Sequence, residues 1–318
     1  MSSTRTSARG FTLVEMLVAL ALSSVITTAA LEAFVAVSRL TRRSEQEAYA
    51  DQEAKLLSDY VMSTVQQTGG GNIRPWMGVA VDDNCSTSVT VNGQTMPACD
   101  SSDRLHVAVV SPTASQCTVT SVVGNTVTSP TGSCCLNNAE FLNQSVVVFT
   151  AGSGEWRADR CTAINTGTCT CTLTGNASAY GNFNGSTNFA SGWITPGTTD
   201  SFFLDPTTQT LKLLSDSDNN GTPEITELAD RVADFQVQLG FDTDGDQQVD
   251  RFQAGYSGVT NSQLREVRIG IIVAAPVPAR ETSSRAQLFN GPVRSATRGK
   301  YMRAVSTRSV FRNLNIFF

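Results

Sequence analysis

In this 318-residue chain the side chains with the most chemical capacity are carboxylates and thiols. Asp216-Ser-Asp218-Asn-Asn220-Gly221, with Glu227 further on, sets alternate oxygen donors at the spacing of a calcium loop, in which a distal Glu binds through both oxygens. Asp242, Asp244 and Asp246, followed by Asp250, form a second oxygen-rich turn. Either could take calcium as a cofactor. Pro223 and the lack of helical flanks oppose an EF-hand, and Asp and Gly also build hairpin turns with no ion at all. The thiols are Cys85, Cys99, Cys117, Cys134, Cys135, Cys161, Cys169 and Cys171. An even count in Ser/Thr/Gly-rich sequence indicates disulfides and an oxidising compartment, with the connectivity open. Zinc is the competing reading, and it lacks a Cys-x-x-Cys pair. His106 is the chain's single histidine, which removes most His-based catalytic and metal sites, and its apolar surroundings read as structural. Ser257 in Gly-Tyr-Ser-Gly-Val lacks the glycine spacing of a nucleophile elbow. The expectation is a protein that is not an enzyme.

These residues must be positioned by a chain that is 40% apolar, enough to fill a core, and only 16% charged. Its formal charge of −5 supplies no basic field, so nucleic acid is not an expected partner. Charge is nevertheless uneven. Residues 200–250 carry twelve acids against two bases, whereas residues 280–312 carry eight bases against Glu281. Such segments can pair within one domain or between head-to-tail copies. Short strands are expected at 89–91, 105–110, 117–122, 145–149, 211–214, 235–240 and 264–274, separated by turn-rich sequence. The most apolar run, 267–275, reads as the centre of a sheet, and residues 175–201 read as a surface loop.

The N-terminus has a different pattern. Ten polar residues containing Arg5 and Arg9 end at Gly10, and an apolar stretch follows from Phe11 to Val37. This looks like an export signal whose small residue precedes the apolar run rather than following it. Residues 16–31 carry no charge, and 16 helical residues span about 24 Å, so flanking turns must complete a bilayer crossing. Glu15 stands near the start of this segment and needs a partner, because a carboxylate at membrane centre costs roughly 2.5–3.5 kcal/mol. Ala50, Ala54, Leu57, Val61 and Val65 continue the helical period, so one helix is expected from about residue 11 to 67, ended by Gly69-Gly70-Gly71.

Gly10-Phe11-Thr12-Leu13-Val14-Glu15 before an apolar helix resembles the type III signal of type IV pilins and pseudopilins. The sequence around 235–246, the strand at 267–273 and residues 301–313 resemble large PilW-type minor pilins. The resemblance implies cleavage between Gly10 and Phe11 by a prepilin peptidase, N-methylation of Phe11, and pairing of Glu15 with the N-terminal amine of an adjacent subunit. It implies an α+β fold, in which a long N-terminal α-helical spine packs on an antiparallel β-sheet domain, here with a disulfide-rich insertion. The expected organisation is a leader at 1–10, a transmembrane or fibre-core half-helix at 11–38, an amphipathic half with its cap at 39–71, and a β-rich globular domain at 72–318. The implied protein is a minor pilin that helps initiate pilus assembly at or near the fibre tip. Its partners would be other minor pilins, the major pilin, an inner-membrane assembly platform and a tip adhesin. It would be held in the inner membrane with its C-terminal domain in the periplasm, then carried to the cell-surface pilus. A type II secretion pseudopilin of the J class and a tip adhesin or DNA-uptake module are the alternatives.

Overall fold

A computed structural model describes residues 12–68, 78–91, 93–110, 113–137, 139–150, 156–174, 191–218, 222–276, 285–289, 291–295 and 300–310. Residues 1–48 and residues 49–318 form two compact units. In the first, every described residue from Leu13 onward belongs to helix α1 (Leu13–Gln66), which contains neither Gly nor Pro. Its apolar side chains are exposed: Leu17 is 58%, Ile26 68% and Phe34 69% accessible. Three of its hydroxyls bond back along the helix, Ser24 donating to the Ala21 carbonyl, Thr27 to Ser23 and Thr28 to Ser24, at 2.8–2.9 Å. Such back-bonding pairs these three hydroxyl hydrogens even in an apolar medium. The helix is long and apolar enough to cross a membrane.

The second unit begins with the rest of α1 and continues through β1 (Val79–Asp82), β2 (Val89–Val91), β3 (Gln94–Met96), β4 (Arg104–Val110), β5 (Cys117–Val119), β6 (Ser121–Val123) and β7 (Thr126–Thr128). There follow β8 (Ser145–Thr150), β9 (Trp156–Asn165), β10 (Thr170–Leu173), β11 (Gly192–Asp205), β12 (Thr210–Ser215) and β13 (Glu224–Ala229). The last are β14 (Val232–Phe241), β15 (Arg251–Gln253), β16 (Leu264–Pro276), β17 (Arg285–Ala286), β18 (Arg294–Ser295) and β19 (Lys300–Val310). An antiparallel sheet of 11 strands runs β1-β4-β11-β8-β9-β10-β7-β6, with β5, β12 and β13 branching from it, and a second, four-stranded sheet runs β15-β14-β16-β19. The α+β class expected from the sequence is the one observed.

Ala50, Ala54, Leu57, Val61 and Val65, the expected stripe, are all buried. They share one core with Phe235 and Val237 of β14, Ile269, Ile271 and Val273 of β16, and Leu105, Phe202 and Leu204 of the larger sheet. Burying each Val or Leu contributes roughly 1.5–3 kcal/mol and each Ala less, so the amphipathic half of α1 is fixed by packing rather than by helix propensity. β16 lies between β14 and β19, as its unbroken apolar run suggests. On its other face Gly270 lets the β17–β18 hairpin pass, because a Cβ there would stand 2.9 Å from Leu288.

Four disulfides close the cysteine question: Cys85–Cys99, Cys117–Cys135, Cys134–Cys169 and Cys161–Cys171. The last three surround a core of Val119, Leu136, Phe141 and Ile194. The neighbours Cys134 and Cys135 reach in different directions, one to the β9–β10 turn and one to β5, so a short 3-10 turn is pinned on both sides.

Three strand expectations need correction. The run at 117–122 is two strands, β5 and β6, parted at Thr120. β1, β3, β7, β9, β10, β13, β15, β17, β18 and β19 lie outside the expected set. The largest miss is 175–201: residues 192–201 belong to β11, which pairs with β4, β5, β8 and β12 at the centre of the sheet, while residues 175–190 lie outside the described residues. Pro196 and Gly197 disguised it. They sit where β11 ends its pairing with β8 and begins with β4, and a Cβ on Gly197 would approach the Val109 carbonyl to 2.9 Å.

Candidate functional site

At the start of α1 the sequence Thr12-Leu-Val-Glu15 closes on itself. The Glu15 carboxylate accepts from the Thr12 backbone N–H at 2.8 Å and from its hydroxyl at 3.1 Å, and the Thr12 hydroxyl accepts from the Glu15 N–H at 3.3 Å. This is a reciprocal capping box, which satisfies two groups that a helix end otherwise leaves unpaired. The T-x-x-E spacing was readable in the sequence, yet the assembly role expected of Glu15 overshadowed it. Gly10 and Phe11, the expected cleavage pair, lie outside the described residues, as do Gly69, Gly70 and Gly71.

Among the described residues, the acids of the first loop are not gathered around a common point. Glu227 lies in β13 opposite Lys212 of β12 and pairs with it at 3.4 Å, while Asp216 accepts from the Ser145 hydroxyl at 2.5 Å. Ser215 is aligned with Glu224, which carries Glu227 three residues away along the strand, and Asn220 is outside the described residues. In the second turn Asp242, Asp244 and Asp250 do converge, with one oxygen of each within 4.8 Å of the others; Asp246 is not in that group. Asp242 is buried and accepts from Gly245 N at 2.6 Å, Gln247 N at 3.0 Å and Arg265 Nε at 3.1 Å. Asp250 accepts both the N–H and the hydroxyl of Thr243. The Arg265 guanidinium therefore already supplies a cation to the most buried of the three carboxylates.

His106 is buried between strands, its Nδ1 2.7 Å from Ser201 Oγ and its Nε2 3.2 Å from Asp82 Oδ2. Ser, His and Asp stand in line, but Ser201 is 0% exposed, so no substrate carbonyl can reach its oxygen. The expected structural role fits. Strand register creates this trio, since His106 is aligned with Ala80 on one side and Ser201 on the other, and no local sequence pattern announces it.

A second polar seam joins the two sheets. Asp103 accepts from Val237 N at 2.7 Å and Asn84 N at 3.0 Å, and the Ser102 hydroxyl donates to Asp234 at 2.6 Å. Arg294 of β18 pairs with the same Asp234 at 3.3 Å, so part of the basic C-terminal segment is neutralised by the acidic segment within one domain. Burial pushes the Asp103 carboxyl up to about 7 against the pull of its two N–H donors, with Asp83 and Asp234 adding repulsion. Because the folded value lies above that of an unfolded Asp, the folded state holds the extra proton between them. Stability from this group is full below about pH 4 and is lost as pH rises through about 7. Thermal melts across pH 4–8 are expected to show this loss, and Asp103→Asn is expected to flatten it; a variant with the parent's pH slope would assign the effect elsewhere.

An apolar helix opened by a capping box, in a chain with a disulfide-stapled, two-sheet domain, fits a membrane-anchored pilin. Residues 5–31 match the prokaryotic N-terminal methylation motif. Residues 200–313, which contain the helix-covered sheet and the β12–β13 hairpin, match the family described as Type IV Pilus-assembly protein W. Together the two matches support a pilin-related role, and the second family is structural rather than enzymatic. Comparison with curated proteins gave no match, and neither did comparison with solved structures.

Proposed function

We propose that this protein is a minor pilin that helps initiate assembly of a type IV pilus and sits at or near its tip. The observation that carries this reading is the exposed apolar half of α1, charge-free from residue 16 to 31 and headed by the capped Glu15, in a chain whose residues 200–313 match a pilus-assembly family. A prepilin peptidase removes residues 1–10, and the helix then anchors the subunit in the inner membrane with its disulfide domain in the periplasm. Other minor pilins, the major pilin, the assembly platform and a tip adhesin are its partners. Upon extraction into the fibre, lipid around the apolar face is replaced by neighbouring helices, and Glu15 meets a neighbour's N-terminal amine. Deleting the gene is the test. Loss of surface pili supports this function; loss of protein export with pili intact would point to a secretion pseudopilin, and normal pili with lost attachment or uptake to an adhesin.

A further inference from the structure

Among the described residues, β13 pairs only with β12 and β19 only with β16, so each is the last strand of its sheet. The outer edge of such a strand presents N–H and C=O groups that no ladder satisfies. Residues along both strands are exposed, Glu224, Thr226 and Glu227 on β13, and Arg303, Ala304, Ser306 and Arg308 on β19, although β19 also touches α1 through Arg303–Asp51 and Gln66–Ser309 and lies near β17. Their charges are opposite. Residues 213–230 contain five acids and no base, whereas residues 294–312 contain six bases and no acid.

We propose that the acidic β13 edge of one copy adds to the basic β19 edge of a second copy, giving a head-to-tail contact between two molecules of this chain. Strand addition supplies main-chain hydrogen bonds, and the charges select the partner and the register. An antiparallel register with Glu227 opposite Arg303 also sets Asp230 opposite position 300, a lysine, and Thr226 opposite Ala304. The present partners of these groups do not forbid the exchange. Glu227 with Lys212, Asp230 with Arg231 and Arg303 with Asp51 are surface pairs in which at least one member is about half exposed or more, and pairs of that kind contribute little. Because two different edges meet, the contact is heterologous and leaves one edge of each kind open, so it extends a line of subunits rather than closing a dimer.

The contact rests on the pilin reading, and its test separates the two. Two differently tagged full-length copies are expressed together, one with the photoreactive residue benzoyl-phenylalanine at Thr226, and irradiated in cells. A product joining the two tags is expected, with the attachment mapping next to Ala304. Arg303→Glu should lower its yield about tenfold, and Glu227→Arg in the photoreactive copy should restore it. No copy-to-copy product, a product indifferent to Arg303→Glu, or attachment to another protein alone would overturn the proposal. The unsubstituted pair tests it even if a charge variant misfolds. Pili counted in the same cells keep the readings apart, since normal pili without the product remove the contact and leave the assembly role standing.

Discussion

Glu15→Gln is expected to yield a protein that is cleaved and membrane-inserted like the parent yet enters pili at least about tenfold less well, while Glu15→Ala loses helix order at its first turn as well. The distinction follows from the capping box. Glu15 accepts two bonds from Thr12, and a Gln oxygen can accept the same bonds, so the cap survives the first change and not the second. What Gln cannot supply is charge. A carboxylate held in an apolar medium costs roughly 2.5–3.5 kcal/mol unless a cation meets it, and in the proposed assembly the methylated amine of a neighbouring subunit would be that cation. Losing that pairing removes a gain available only in the fibre, which is why membrane level and fibre level should part. Immunoblots of sheared pili against membranes read the ratio. Equal incorporation of Glu15→Gln and parent would reduce Glu15 to a helix cap.

Removing the Cys134–Cys169 bridge should be the most damaging change to the folded domain. Its sequence separation is 35, against 10 for Cys161–Cys171. Chain entropy alone then gives about 4 kcal/mol for the first and about 3 kcal/mol for the second. The loops overlap, so the surviving bridges shorten the chain each one closes and lower both figures somewhat. Double replacement by Ala, which suits the buried surroundings of Cys169, is expected to lower the melting temperature by roughly 8–16 °C in a domain of this size. An unchanged melting temperature would mean that the core of Leu136, Phe141 and Ile194 holds the lobe without this bridge.

Several of these features could be read in the sequence because one local rule dominated each. The helix stripe from Ala50 to Val65 shows its period with no Gly or Pro to interrupt it, and β16 is apolar on both faces from Ile269 to Ala275, where it is covered on both. Eight cysteines allow 105 pairings, so connectivity had to wait for the fold. β11 was hidden because its Pro, Gly and Thr residues answer to changes of partner strand rather than to a period of two. The acidic run at 216–227 shows how one spacing serves two ends: alternate Asp and Asn followed by Gly suits calcium, and it equally suits a chain reversal whose distal Glu faces a lysine. The Ser201–His106–Asp82 line and the Asp103 seam depend on register between distant strands, which no window of sequence contains.

The prepilin assignment itself is tested most directly by the mass of the mature N-terminus. Protein taken from membranes and from pili should begin at N-methyl-Phe11, with Arg5 and Arg9 gone and the formal count changed from 23 to 21 bases against 28 acids. Gly10→Val should leave the precursor uncut, because the added side chain occupies the position where only a hydrogen stood. A chain that reaches the pilus with residues 1–10 still attached, or with an unmethylated Phe11, would contradict the account at its root.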